Sequence, residues 1–284
     1  MSLDIKYSIC GVVVCFYPDT SVVSNIKSYI HQVDFLIIVD NSEIENRELL
    51  SEFIKLESVK YIWNKSNQGL AYALNQAGNY ALKNNYDFLF TVDQDSDATK
   101  ELVEQLIVYF SPSIGVIAPH HQNKKFPKNS DLKLVSEVPM AMTSGNLVNL
   151  KAYQQIGGFD EKLFIDFIDY DFCFRMNLNG YKVLSIPEAI LYHNLGNISK
   201  HMLFGRYFHP TNHSAKRLYY RIRNSAYVFR MYKSLYPEVI WHEKKKILKI
   251  VFKIIFFEKE KLKKMYMICL GIVHFLRSRY GKYE

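Results

Sequence analysis

The stretch whose reading decides the fold is Phe88-Leu89-Phe90-Thr91-Val92-Asp93-Gln94-Asp95-Ser96-Asp97. Its first half is apolar and β-rich and too short for a helix, so it reads as a central strand of a parallel sheet. Its second half is acidic. Asp93 and Asp95 stand two apart and would share one face of a strand. Adjacent carboxylates repel each other and need a cation to offset the repulsion. An oxygen-rich pair at a strand end suits Mg²⁺ or Mn²⁺, completed by waters and substrate phosphates. The plainer alternative is an acidic turn capping a helix that begins near Thr99, because Asp and Ser are frequent N-caps.

The residues on either side repeat the pattern. Ile9 to Phe16 is a buried strand stopped by Pro18, and residues 20–32 follow with helical spacing. Phe35 to Ser42 is a second strand ending in Asp40-Asn41-Ser42, and residues 44–56 read as a helix. Val59 to Trp63 is a third strand; the loop Asn64-Lys65-Ser66-Asn67-Gln68-Gly69 then leads to a helix over Leu70 to Asn84. Beyond the acidic stretch come a helix over 98–111, a strand over Ile114 to Ala118 and a polar loop over 120–133. This alternation predicts a parallel sheet with right-handed crossovers, whose ligand sits outside the carboxyl ends of the strands. Asp40, Asn67, Gly69, Asp93 and Asp95 all fall there. Each also has an ordinary role as a turn residue. There is neither a G-x-G-x-x-G nor a G-x-x-x-x-G-K-[ST] pattern, which removes two common nucleotide-binding readings.

The C-terminal half adds further candidates. Thr143-Ser144-Gly145 forms a small turn into a strand, where a ligand could approach the backbone. Asp166, Asp169 and Asp171 lie among Phe, Ile and Tyr, surroundings that raise carboxyl pKa values towards those of a general base. The residues 169–179 can form a helix, and its dipole alone would explain acids in the first turn. Arg175, four after Asp171, fits an ordinary helix pair. Val183 to Pro187 and Ala189 to His193 are strand-like, and His193 at the strand end is a plausible third metal ligand or diphosphate contact.

The bulk composition bounds the rest. With 284 residues, 49% of them apolar, the chain can bury one large α/β core. Four scattered cysteines without a C-x-x-C pair fit a reduced, cytoplasmic setting. No secretory leader pattern or spanning-length apolar run is evident. The net charge of +8 hides an asymmetry: residues 1–199 carry 16 basic against 23 acidic side chains, residues 200–284 carry 20 against 5. The acidic part suits a cation-assisted site, and the basic part an anionic partner.

Taken in order, these pieces resemble the family 2 inverting glycosyltransferases of GT-A fold. They are Val12 to Phe16 with Pro18, Asp40-Asn41-Ser42, Asn67-Gln68-Gly69 with Asn75, Asp93-Gln94-Asp95, Thr143-Ser144-Gly145, Gly157-Gly158-Phe159-Asp160, Asp166 through Arg175, and His193-Asn194-Leu195-Gly196. Within that family the chain looks most like the bacterial dTDP-L-rhamnose rhamnosyltransferase branch, over roughly residues 8–230. The resemblance implies that Asp40 contacts the nucleotide base and that Asp93 and Asp95 bind the metal and the diphosphate. It also implies that His193 matches the family's late His. Ile168-Asp169 occupies the place of the family's Glu-Asp, so the Glu is absent. Asp169 is the expected base, with Asp166 its rival. Tyr219 to Asn224 resembles a basic segment closing over the diphosphate, which makes Arg223 a donor contact. Thr143, Ser144, Gly145 and Asp171 are expected to face the acceptor. The Gln-x-x-Arg-Trp motif of processive synthases is missing.

The expected product is a catalytic domain over 1–230 and a helical basic tail over 231–284. The activity implied is transfer of L-rhamnose to a glycan or lipid-linked acceptor for surface polysaccharide. A UDP- or dTDP-donor carrying another sugar is the nearest alternative. A nucleotidyltransferase would need a Gly- and Lys-rich loop where Phe16-Tyr17-Pro18-Asp19 stands, and a non-catalytic scaffold would not need Asp93, Asp95 and Asp169. In the tail, Lys245, Lys249 and Lys253 recur every four residues, as in helices lying on an anionic membrane surface. A helical cap or a homodimer interface is the other reading. No nucleic-acid module is recognisable.

Overall fold

The computed structural model describes residues 6–123, 134–193, 201–203, 206–208 and 212–283. The expected lysine-bearing stretch from Lys124 to Lys133 and the Asn194-Leu195-Gly196 motif lie outside them. Contacts divide the chain into two units, residues 1–161 with 169–194, and residues 162–168 with 195–284. The division therefore falls well before residue 230, because the helix over 215–232 shares its core with the tail.

The first unit is built around a nine-stranded mixed sheet. Its N-terminal half runs β1 (Ile9–Cys15), α1 (Ser21–Tyr29), β2 (Phe35–Asp40), α2 (Ser51–Ile54), β3 (Val59–Trp63), α3 (Leu70–Lys83) and β4 (Phe88–Asp93). Strands β1 to β4 pair in parallel, and β1 is buried on both faces, as its unbroken apolar run requires. Only one turn of the expected 44–56 helix forms, as α2. Next come β5 (Ser96–Ala98), α4 (Leu102–Ile107), β6 (Ile114–Gln122), β7 (Ser136–Glu137), β8 (Asn146–Asn149), α5 (Leu150–Ile156), α6 (Ile168–Leu178) and β9 (Lys182–His193). Strand β8 enters antiparallel between β4 and β6. The two strand-like runs around Pro187 are one strand, β9. Its register against β6 slips between Ile186 and Ile190, so the bulge absorbs the proline, which has no N–H to pair.

Two side-chain clamps join distant parts of this unit. The Asn75 carboxamide accepts from Tyr153 Oη (2.7 Å) and Phe159 N (2.9 Å) and donates to the Phe159 carbonyl (2.9 Å). Gly158 has φ +73°, and a Cβ there would sit 2.8 Å from that carboxamide oxygen, so only glycine fits the turn. Arg175 binds the buried Asp171 (2.7 Å) and donates to the carbonyls of Ile156 and Gly158 at the end of α5.

The second unit comprises 162–168, the hairpin β10 (His201–Leu203) with β11 (Arg206–Phe208), and helices α7 (Ala215–Tyr232), α8 (Pro237–Phe257) and α9 (Lys261–Leu276). Leu218 and Ile222 of α7, Ile254 of α8 and Ile268 of α9 form one apolar cluster. Gly271 lets α9 approach α7 closely, since a Cβ there would lie 2.8 Å from the Tyr219 carbonyl. Glu258 and Lys264 form a buried ion pair at 2.6 Å. Among the described residues no helix is long and apolar enough to cross a membrane.

The segment 162–168 carries unusual backbone. Phe164, Asp166 and Phe167 all have positive φ, between 61° and 64°, a conformation costly for residues with side chains. Asn224, fully buried, holds it by donating to the carbonyls of Leu163, Ile165 and Asp166. Asn224→Ala is expected to cost about 2 kcal/mol, read as a lower urea midpoint at unchanged slope. Asn224→Asp keeps the shape but can only accept, so it should be at least as damaging. A fully stable Asp variant would refute the clamp.

Candidate active site

Strand β4 ends at Asp93, and β5 begins three residues later at Ser96. The tight link between them turns Asp95 towards His193, because Ser96 pairs with His193 across the antiparallel β5–β9 ladder. Ligand atoms of Asp93, Asp95 and His193 all lie within 4.8 Å of one another. The Nδ1 of His193 is 3.5 Å from Asp95 Oδ1. Two hard carboxylates and one imidazole, all partly open to solvent, form a donor set that suits a divalent ion such as Mg²⁺ or Mn²⁺.

The Thr143-Ser144-Gly145 turn builds this cluster. Asp93 N donates to Ser144 Oγ (2.9 Å); Ser144 Oγ meets Ser96 Oγ (2.8 Å), which meets His193 Nδ1 (3.0 Å). Thr91 Oγ1 donates to the Thr143 carbonyl, and Gly145 N to the Thr91 carbonyl. Gly145 has φ +80° and packs so closely on Pro119 and Leu191 that a Cβ would clash. Ser144 and Gly145 are buried and form a support beneath the acids, while Thr143, expected with them to face the acceptor, is half-buried. Gln94, between the two acids, braces the end of β1. Its Oε1 accepts from Phe16 N (2.7 Å) and its Nε2 donates to the Phe16 carbonyl (3.2 Å).

His121, at the end of β6, is a further buried support. Its Nε2 donates to the Ser144 carbonyl (2.7 Å), and its ring stands edge-on to that of His193. Burial pushes its pKa down to about 4, so the imidazole is neutral at pH 7. The unfolded chain would bind this proton near pH 6.5 and the folded chain only near 4. The stability His121 contributes is therefore intact above 6.5 and lost as pH falls through that window. At pH 5 the expected loss is about 2 kcal/mol relative to pH 7.5. Thermal midpoints at the two pH values should converge in His121→Gln, and an equal acid shift in both proteins would refute this.

At the ends of β2 and β3 the structure alters the expected roles. Asp40 is fully buried. Its carboxylate accepts from Ser42 N (3.0 Å), Asn46 N (2.9 Å), Asn46 Nδ2 (3.1 Å) and Tyr61 Oη (2.8 Å). It folds the 41–46 loop and has no accessible oxygen to offer a base. Asn41 ties that loop to the next, donating to the Gly69 carbonyl (3.0 Å) and accepting from Asn64 Nδ2 (2.9 Å). Asn67 Oδ1 accepts from Gly69 N (2.9 Å), and Gly69, at φ +94°, opens α3. Asn67 and Gly69 thus shape the rim of the sheet edge.

The acidic segment divides by partner. Asp169 lies half-buried in the first turn of α6 with its Oδ1 3.0 Å from Tyr170 N. Asp171 is buried and bound to Arg175, so it is structural and not an acceptor contact. In the second unit Asp166 faces Arg217 (3.3 Å) and Arg221 (3.5 Å), the environment of an ion pair and not of a free base. Arg223 is 1% exposed. Its guanidinium donates to the Lys162 and Gly281 carbonyls and Asn224 Oδ1, between the rings of Tyr219 and Tyr220. The expectation that Arg223 reaches a diphosphate fails, because its donors are spent inside its own unit.

Residues 12–156, just over half of the chain, match the family described as Glycosyl transferase family 2. The chain belongs to that family. A curated relative, the dTDP-rhamnosyl transferase RfbF of Shigella flexneri, is 26% identical over 78% of this chain and 80% of its own. Among solved structures, that of GalNAc-T7 with UDP, GalNAc and Mn2+ aligns with a TM-score of 0.61 at 14% identity. It covers 95% of this chain, which spans 58% of that protein. S. aureus TarS 1-349 in complex with UDP-GlcNAc aligns at 0.60 and 14% identity, covering 96% of this chain and 81% of its own. The protein is therefore a glycosyltransferase of GT-A fold, a mixed α/β sheet with flanking helices. In this family 2 enzyme, sequence reasoning brought Asp93, Asp95 and His193 together correctly as neighbours. It missed Ser96, His121 and the supporting role of Ser144. No local signal marks them, since their partners are 48 residues away for Ser96 and 23 for His121.

Proposed function

We propose that this glycosyltransferase moves L-rhamnose from dTDP-L-rhamnose to a hydroxyl of a glycan or lipid-linked acceptor, with inversion, in the synthesis of bacterial surface polysaccharide. The observation that carries the reading is the Asp93, Asp95, His193 cluster at the carboxyl edge of a family 2 sheet. The rhamnose assignment rests on the 26% identical relative. The donor nucleoside lies against the 41–46 loop that Asp40 folds, and its diphosphate at Asp93 and Asp95. A divalent ion held there would lend positive charge to the departing diphosphate. Asp169 accepts the proton of the acceptor hydroxyl as its oxygen attacks the anomeric carbon. The new C–O bond forms as the bond to the diphosphate breaks on the opposite side, and the nucleoside diphosphate leaves with the electron pair. The chain works in the cytoplasm at the inner face of the membrane, where a lipid-linked acceptor would be presented.

Transfer and binding with a panel of nucleotide sugars, with and without Mn²⁺ or Mg²⁺, test this. Selective, metal-dependent use of dTDP-rhamnose is the expected result. Equal use of UDP-sugars, the class bound by TarS in its complex, would remove the rhamnose assignment. Binding of no nucleotide sugar would leave a scaffold.

A further inference from the structure

Helices α8 and α9 bury one face each in the second unit's core and leave the opposite face with an unusual composition. On α8, Trp241, Leu248, Phe252, Ile255 and Phe256 are all exposed and follow one helical stripe; Leu248 is 69% exposed. On α9, Leu262, Tyr266, Val273 and Leu276 do the same, and Leu262 is 89% exposed. Apolar side chains that recur at helical spacing on the solvent side form contiguous patches of the kind that mark an interaction surface. Basic residues border both stripes. Lys244, Lys245 and Lys249 are exposed along α8, with the Lys245 ammonium 4.9 Å over the Trp241 ring. Lys261, Lys263 and Arg277 are exposed along α9.

The acids of these helices do not balance that charge. Glu243 is buried against Lys246 and Glu258 against Lys264, while Glu260 pairs with Lys263, which leaves the exposed Glu238 in the first turn of α8 against Lys244, Lys245 and Lys249. A second copy docked face to face would set lysine against lysine, because a two-fold interface must complement itself. The surface instead fits a partner that is apolar in its interior and anionic at its face. Neither helix can span such a layer, so they would lie in its plane.

We infer that the outward faces of α8 and α9 bind an anionic lipid bilayer, with Trp241, Leu248, Phe252 and Phe256 entering the headgroup boundary and the bordering lysines meeting the lipid phosphates. The inference deepens the membrane placement in the proposed function and specifies the contact surface. Flotation of the full chain with phosphatidylglycerol-containing vesicles, without donor or acceptor, tests it. Binding should weaken steeply as salt rises and be absent with pure phosphatidylcholine. The triple substitution Lys244→Gln, Lys245→Gln, Lys249→Gln alters only exposed positions and should lower partitioning about a hundredfold. Leu248→Ser with Leu262→Ser, the most exposed apolar position of each stripe, should lower it about tenfold or more at an unchanged thermal midpoint. Four outcomes would overturn the inference: no binding to anionic vesicles at low salt, equal binding to neutral ones, variants that bind like wild type, or a concentration-dependent dimer that these variants dissolve. Since no sugar is present, a failed transfer assay would strike the proposed reaction and leave this result standing.

Discussion

Asp93→Asn should lower sugar transfer by at least about a thousandfold while leaving the fold intact. The substitution removes one of two carboxylates that would hold the divalent ion, and it leaves the backbone N–H that binds Ser144 untouched. Charge stabilisation of a departing diphosphate is an interaction realised mainly in the transition state, so the loss belongs in kcat as well as in donor affinity. A chelator should act on the wild type as the mutation does, and excess Mn²⁺ should restore the wild type but not the variant. Calorimetric titration with Mn²⁺ separates the two roles: the variant should bind the ion at least tenfold more weakly. Wild-type activity persisting in chelator, together with an active Asp93→Asn, would remove the metal from the mechanism.

Asp169→Asn should cut kcat by about 10²- to 10⁴-fold, the range for loss of a general base, with donor affinity nearly unchanged. Asp169 stands half-buried at the start of α6. Asp166 is the control. It is engaged by Arg217 and Arg221, so Asp166→Asn should lower stability modestly by weakening both ion pairs and leave kcat within a few-fold. The opposite result, with Asp166→Asn inactive but stable and Asp169→Asn active, would reverse the assignment.

The strand ends were legible because the pattern is local. Buried parallel strands read as continuous apolar runs, and Ile9 to Phe16, Phe35 to Val39 and Phe88 to Val92 are such runs. Each stops in residues that cannot stay buried unpaired, which is why Asp40, Asn41, Asp93 and Asp95 were recognisable as a rim. The failures have one physical source. Arg223, Asp171, Asp40 and Ser144 are residue types that usually reach solvent or ligand. Burial with full hydrogen bonding turns each into a support, and burial is a property of the packed chain. The helix expected over 98–111 starts later because Ser96 to Ala98 found a strand partner in β9, 93 to 97 residues away in the chain.

The amino-acid sequence by itself determined the sheet's alternating build, the acidic strand ends and the amphipathic basic helices, since each depends on spacing within a few residues. Only the tertiary structure decided which groups each acid meets. That choice depends on partners brought in from elsewhere: Ser144 and His193 beneath the Asp93–Asp95 pair, Arg175 on Asp171, and Arg217 with Arg221 on Asp166. A carboxylate's role follows from the charges and donors around it, and those neighbours are contributed by the fold.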